Sequence, residues 1–200
     1  TTMADVIEAT GLLVPGGRVL DVGCSYGFLV QELLARGYDP YGIDFSADAI
    51  RDSPVRARLR RGNALEMPVD TRYDLVFAGD IYEHLNDAEA RILTQKVGAI
   101  SDALVAIVNK SRHEPSHVNI KSNRRWLALF ADCGFGLELR ATCRGRARYL
   151  RNSSGTELWH LNLLALSKRA HTPLRRLITR LFGDATLIWR VAGAARGPWR

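Results

Sequence analysis

The chemistry-bearing residues of this 200-residue chain fall in three short runs. The first is Gly23-Cys24-Ser25-Tyr26-Gly27, with Asp44 17 residues further on. Glycines at that spacing let the backbone turn tightly under a ligand, and a carboxylate about there can accept both hydroxyls of a ribose. The second run is Asp80-Ile81-Tyr82-Glu83-His84-Leu85, and the third His113-Glu114-Pro115-Ser116-His117. If a helix starts at residue 80, Asp80, Glu83 and His84 share one of its faces. Two chemistries follow. His84, His117 or His113 can act as a general base toward a substrate hydroxyl. Alternatively Asp80, Glu83, His84 and His117 hold a divalent cation that lowers the pKa of that hydroxyl and orients it. Such a donor set suits Mg²⁺ or Mn²⁺, with Fe²⁺ and Zn²⁺ competing for the imidazoles. The structural account of the same residues is a capping pattern, Asp-x-x-Glu, with Asp80 as the N-cap of a helix.

These runs need elements to position them. Apolar strands are expected at residues 18–22, 41–44, 56–63 (ending by Arg61), 73–78 and 103–108, and two last strands at 137–142 and 159–166. Helical periodicity covers 3–13, 28–35, 46–51, 88–98 and 123–131. Ser46 is an N-cap, and Arg36-Gly37 and Cys133-Gly134 are stops. Residues 144–157, with Arg144, Arg146, Arg148 and Arg151, look like an exposed loop, solvated or reading a phosphate or carboxylate. Alternating strands and helices give an α/β fold, a doubly wound, seven-stranded, mostly parallel sheet with one antiparallel strand. Ligands then bind at the carboxyl ends of the strands. The fourth and fifth strand ends are neighbours there, which brings His113 and His117 to the cleft of Asp80, Glu83 and His84. Tyr82 and Trp126 are expected in the core, and Trp159 either in the core or as a platform for a sugar.

Composition narrows the classes. With 46% hydrophobic and 24% charged residues the chain is an ordinary globular one. No apolar run reaches the ~18 residues of a membrane span, and no secretory signal opens the chain. Cys24, Cys133 and Cys143 form no C-x-x-C pair, which fits a reducing cytoplasm. The net charge is +7, but residues 171–200 hold six arginines against Asp184 alone. The remaining domain, residues 1–170, is near neutral and offers no nucleic-acid surface. The basic amphipathic tail, 171–200, is expected to pack on the domain, cover the cleft or make a dimer contact. The alternative is peripheral contact with an anionic membrane.

The motifs resemble a known family. Val19-Leu20-Asp21-Val22-Gly23-Cys24-Ser25-Tyr26-Gly27 resembles the first motif of the class I S-adenosylmethionine-dependent methyltransferases, and Gly42-Ile43-Asp44-Phe45-Ser46 their second, acidic one. Gly62-Asn63-Ala64-Leu65-Glu66-Met67-Pro68 and Tyr73-Asp74-Leu75-Val76-Phe77 resemble the third and fourth. The resemblance implies a Rossmann-like fold over residues 18–170 and S-adenosylmethionine as cofactor. It implies that Asp21 and Gly23 face the methionine moiety, with Cys24, Ser25, Tyr26 and Gly27 as the floor and Gly79 nearby. Asp44 and Ser46 then serve the ribose, Phe45 packs by the adenine, and Asn63 and Ala64 meet its edge. Ser25 replaces the usual middle glycine and narrows the turn. Asn63 stands where aspartate is commoner, although an amide can still accept from an exocyclic amine.

The run Asp80-x-x-Glu83-His84-Leu85 is similar to the Glu-x-x-Glu-His-Leu of the small-RNA 3′-end 2′-O-methyltransferases and to a run in ubiquinone-pathway O-methyltransferases. In those families it holds magnesium beside a diol or catechol. His113-x-x-x-His117 ahead of Arg124-Arg125-Trp126 is similar to the segment that supplies a further histidine, which makes His117 the fourth ligand and His113 the second choice. Asp80 is one methylene shorter than the family's glutamate. The expected activity is O-methylation of a hydroxyl on a sugar, glycoside or polyhydroxylated metabolite, assisted by Mg²⁺ or Mn²⁺. The rivals are a metal-free N- or C-methyltransferase of a small molecule, an RNA 2′-O-methyltransferase, and a non-catalytic cofactor-binding scaffold that docks through the tail.

Overall fold

Short apolar runs that end in glycine or aspartate set the architecture. In the computed structural model, which describes residues 2–109, 113–150, 161–169 and 172, each run becomes a strand whose carboxyl end opens into a loop. The elements are α1 (Met3–Thr10), β1 (Arg18–Val22), α2 (Phe28–Ala35), β2 (Asp39–Asp44), α3 (Ala47–Arg51), β3 (Leu59–Arg61), β4 (Leu75–Gly79), α4 (Asp87–Ile100), β5 (Ala103–Asn109), α5 (Asn123–Asp132), β6 (Gly136–Leu137), α6 (Leu139–Leu150) and β7 (Leu161–Ser167).

The seven strands form one sheet in the order β3-β2-β1-β4-β5-β7-β6. β1 to β5 pair in parallel, and β7 runs antiparallel to both neighbours. The expected doubly wound sheet with one reversed strand is therefore observed. The strand order reverses between β1 and β4, so the loops after these two strands lie side by side. One face packs Leu20, Val22, Val76 and Leu104 against Leu93 and Val97 of α4 and Trp126 and Phe130 of α5. The other packs Phe77, Val105 and Leu163 against Val6 and Ile7 of α1 and Ala141 of α6. Among the described residues no helix is long and apolar enough to cross a membrane.

Three expectations need correction. The third strand is only Leu59–Arg61, preceded by a 3₁₀ turn at Arg56–Arg58. Residues 137–142 are not a strand: pairing stops at Leu137, and α6 follows from Leu139. Residues 144–150 are helix, not loop, and their arginines have structural partners. Arg144 donates to the carbonyls of Ala9 and Thr10 (3.0 and 2.5 Å), capping α1, and Arg148 donates to Asp5 (3.0 Å). Residues 151–157, Trp159 and, apart from Thr172, the tail 171–200 lie outside the described residues.

Candidate active site

The loop after β1 is built on β2. The amides of Gly23 and Cys24 donate to the Ile43 carbonyl at 2.9 and 3.2 Å, and the Gly27 amide donates to the Cys24 carbonyl at 2.8 Å. Gly42 permits this approach: a Cβ there would lie 2.6 Å from the Cys24 sulfur. Gly27 has φ +75°, and its missing Cβ would strike Leu59 at 2.9 Å. It precedes α2 without a side-chain cap, so the helix presents open N–H groups to the loop. Ser25 takes φ +48°, a left-handed backbone that costs a non-glycine residue about 1–2 kcal/mol. Its amide compensates by donating to Asp44 Oδ2 at 2.8 Å, while Ser46 N–H reaches Asp44 Oδ1 at 2.8 Å. Each oxygen of Asp44 is thus fixed by one donor and keeps a lone pair for another.

Asp21 closes β1. It is buried, and its carboxyl is pushed up to about 7, first by burial and then by the nearby Asp44. Burial likewise raises the Cys24 thiol. Phe45 is 80% exposed beside Asp44, and Tyr26 stacks on Phe28 with centroids 6.0 Å apart. Asn63 caps the turn Ala64–Glu66, accepting from the Leu65 amide at 3.0 Å.

The loop after β4 carries the acid-histidine group. The sequence expectation of a helix starting at residue 80 is wrong: between β4 and α4 the chain forms a 3₁₀ turn, Tyr82–His84. Asp80 is not an N-cap. It sits at φ +49° with its amide on the Ile107 carbonyl (3.0 Å), and α4 is capped by Asn86 in a capping box with Glu89. Tyr82 is a core residue, as expected. It lies edge-on to Trp126 and Phe130, and its hydroxyl is 3.2 Å from Thr94 Oγ1.

Glu83 is fully buried. Its Oε1 accepts the Asn109 amide at 3.0 Å, and its carbonyl accepts the Asn119 amide at 3.0 Å. Its Oε2 is buried without a hydrogen-bond partner. His84 Nδ1 lies 3.1 Å from the Ser116 carbonyl, which makes Nδ1 the protonated nitrogen and leaves Nε2 a free lone pair. The ring of His117 stands edge-on to that of His84, centroids 4.8 Å apart. One ligand atom each from Glu83, His84 and His117 lie within 4.8 Å of one another. Of the four expected ligands these three come together. Asp80 is exposed beside Glu83, outside that group, and His113 is exposed and outside it as well.

The two carboxyls interact directly. Burial pushes Glu83 up to about 7, with the Asp80 charge adding to it. Asp80 is also raised by desolvation, against the pull of its hydrogen bond to Glu83 and of the two histidines. The site therefore favours added positive charge, as a proton on the carboxyl pair or as a cation among the ligands. Sequence reasoning missed Asn109 and Ser116, whose backbone groups orient Glu83 and His84. The only signal for them was their place at and after the end of β5.

A family described as methyltransferase domain matches residues 19–100. The ubiquinone biosynthesis O-methyltransferase of Azorhizobium caulinodans is 34% identical over 80 residues, 36% of this chain and 32% of that protein. One from Rhodopseudomonas palustris is 28% identical over 162 residues, 76% of this chain and 58% of that protein. The chain thus spans less than two thirds of the length of these curated relatives. The structure of magnesium protoporphyrin IX methyltransferase from Synechocystis, solved with bound S-adenosylmethionine, superposes with TM-score 0.61 at 18% identity, covering 83% of this chain and 76% of that one. A TehB-like S-adenosylmethionine-dependent methyltransferase from Corynebacterium glutamicum gives TM-score 0.61 at 17% identity, covering 82% and 85%.

Proposed function

We propose that the chain is a class I S-adenosylmethionine-dependent methyltransferase, a reading supported by the methyltransferase-domain match over residues 19–100 and by the shared fold, and that it methylates a hydroxyl oxygen with the help of a divalent cation. The acceptor class is a vicinal diol on a sugar, glycoside, catechol or other polyhydroxylated metabolite. The observation that carries the reading is the fully buried Glu83 carboxylate, with one of its oxygens and a ring nitrogen each of His84 and His117 within 4.8 Å of one another. Two ligands of one ion at about 2.1 Å lie no more than about 4.2 Å apart. The three ligand atoms, now within 4.8 Å of one another, would have to draw closer together to share an ion.

The cofactor fits the loop after β1. Asp44 binds the ribose hydroxyls through its remaining lone pairs, Gly23 to Gly27 run beneath the methionine moiety, and Asp21 faces its ammonium. Phe45 covers the adenine, whose edge meets Asn63 and Ala64. β1 and β4 are neighbours, which supports a methyl group presented beside Gly79 and the acid-histidine group. The sulfonium already activates the methyl, so the chain's task is orientation and one proton. Glu83, His84 and His117 would hold Mg²⁺ or Mn²⁺, which supplies a lowered hydroxyl pKa. In this reading Asp80, beside Glu83 and outside the group, takes the hydroxyl proton.

A second reading rests on the free Nε2 of His84, which suits a metal-free general base and an amine or carbon acceptor. The separating test is calorimetric titration of Mg²⁺ and Mn²⁺ into protein saturated with S-adenosylhomocysteine, beside Asp80→Ala and His117→Ala. One-site binding that His117→Ala abolishes and Asp80→Ala weakens supports the cation reading. No heat in the wild type overturns it and sends the acceptor screen to amines and carbon nucleophiles. Cofactor binding with no turnover on any acceptor would favour a scaffold instead.

A further inference from the structure

Five buried side-chain polar atoms lack a hydrogen-bond partner among the described residues, and four belong to three residues: Glu83 Oε2, Asn123 Oδ1 and Nδ2, and Trp126 Nε1. Asn123 opens α5 and is 3% exposed; Trp126 follows one turn later and is fully buried. Positions three apart on a helix share a face. That face meets the acid-histidine turn: Trp126 packs edge-on against Tyr82 at 5.8 Å, and Asn119, just ahead of α5, donates to the Glu83 carbonyl. Native interiors rarely leave such atoms unpaired, and ordered water is the usual partner where they do not meet one another.

The donor and acceptor types are complementary. Trp126 Nε1 and Asn123 Nδ2 only donate, whereas Glu83 Oε2 and Asn123 Oδ1 only accept. A water that accepts from the indole and the amide and donates to Glu83 Oε2 satisfies three of the four atoms. It also fixes the rotation of a carboxylate whose other oxygen is already held by Asn109. We propose that Asn123, through buried water shared with Trp126, is a positioning residue for the Glu83 carboxylate and so for the cation site. The inference rests on the cation reading above. Outer partners that orient a ligand typically change metal affinity 10–100-fold when removed.

The test is calorimetry of Mn²⁺ in S-adenosylhomocysteine-saturated protein, with thermal melting alongside. Asn123→Leu keeps the volume and removes both orphaned atoms, so the melting temperature is expected to hold or rise. A structural amide would leave Mn²⁺ binding unchanged; the positioning role predicts about 10-fold weaker binding or more. Asn123→Ser, which keeps a hydroxyl, is expected to stay within about 3-fold of the wild type. Trp126→Phe keeps the packing on Tyr82 and removes only the donor; it is expected to weaken Mn²⁺ several-fold, and it decides the matter if Asn123→Leu does not fold. Wild-type affinity in Asn123→Leu, or in Trp126→Phe where that variant decides, overturns the inference and leaves the cation site standing. No Mn²⁺ binding by the wild type overturns the cation reading itself and the inference with it.

Discussion

His84 and His117 stand edge to face, centroids 4.8 Å apart, although one follows β4 and the other follows β5. The parallel pairing of β4 and β5 brings them together, and the Ser116 carbonyl on His84 Nδ1 locks their relation. Replacing His84 by glutamine keeps a polar group but not the imidazole lone pair at Nε2. We expect Mn²⁺ affinity to fall at least about 10-fold and methyl transfer to a catechol acceptor to fall with it, while S-adenosylhomocysteine affinity stays within about 2-fold. Wild-type turnover in excess chelator would rule out the cation's part in this.

Asp21 makes stability depend on pH in a defined direction. Its carboxyl ionises near 3.8 unfolded but near 7 when folded, because burial and Asp44 disfavour the charge. The native state therefore holds a proton that the unfolded chain has released, and this group's contribution is lost as pH rises from about 4 to about 7. Asp21→Asn removes the penalty. Its melting temperature should exceed the wild type's at pH 8, and the gap should close toward pH 4. The same variant should bind S-adenosylmethionine more weakly, since it lacks the charge that faces the methionine ammonium. A gap that widens on acidification would contradict the assignment.

The sheet was legible because its central strands are apolar runs ended by Gly23, Asp44 and Gly79. The glycine turn after β1 was legible for the same reason, together with its motif. What was not legible depends on partners far along the chain. Leu137, Leu139 and Ala141 alternate like a strand, yet α6 forms there because its face packs on α1 and β7, with Arg144 capping α1 and Arg146 donating to the Leu163 carbonyl at 2.9 Å. Arg144, Arg146 and Arg148, which suggested a solvated loop, are thus tertiary anchors. Glu83, His84 and His117 of the acid-histidine runs do come together, whereas Asp80 and His113 stay outside that group and the helix expected from residue 80 is not formed. Asp80-x-x-Glu83 and Asn86-x-x-Glu89 are equivalent capping patterns by eye, and only the return of Leu85 to extended backbone decides between them.

That decision can be measured. Asn86 accepts from the amides of Ala88 and Glu89 at 2.9 and 3.0 Å, and Glu89 returns the bond to the Asn86 amide at 2.8 Å. Asn86→Ala is expected to cost about 1 kcal/mol in denaturant unfolding and to leave Mn²⁺ affinity unchanged. Asp80→Ala should show the reverse pattern: no loss of stability, since it also relieves a raised carboxyl beside Glu83, and weaker Mn²⁺ binding. Equal stability losses in both would return Asp80 to the role of a cap.

Gly42 offers a test of how the cofactor loop is supported. A methyl at this position would lie 2.6 Å from the Cys24 sulfur, 2.7 Å from its Cβ and 2.8 Å from Leu59, all shorter than side-chain contacts allow. Cys24 cannot retreat freely, because its amide and that of Gly23 are both bonded to Ile43. Gly42→Ala must therefore lift the loop or displace Leu59, at about 1–3 kcal/mol of stability. Lifting the loop also moves the Ser25 amide away from Asp44, so S-adenosylhomocysteine binding should weaken with stability. Cys24→Ala removes the nearest atom, and in the double variant it should restore part of both losses. Contacting residues couple by about 0.5–3 kcal/mol in such a cycle. Additive effects in the cycle would mean that Leu59, not Cys24, takes up the strain.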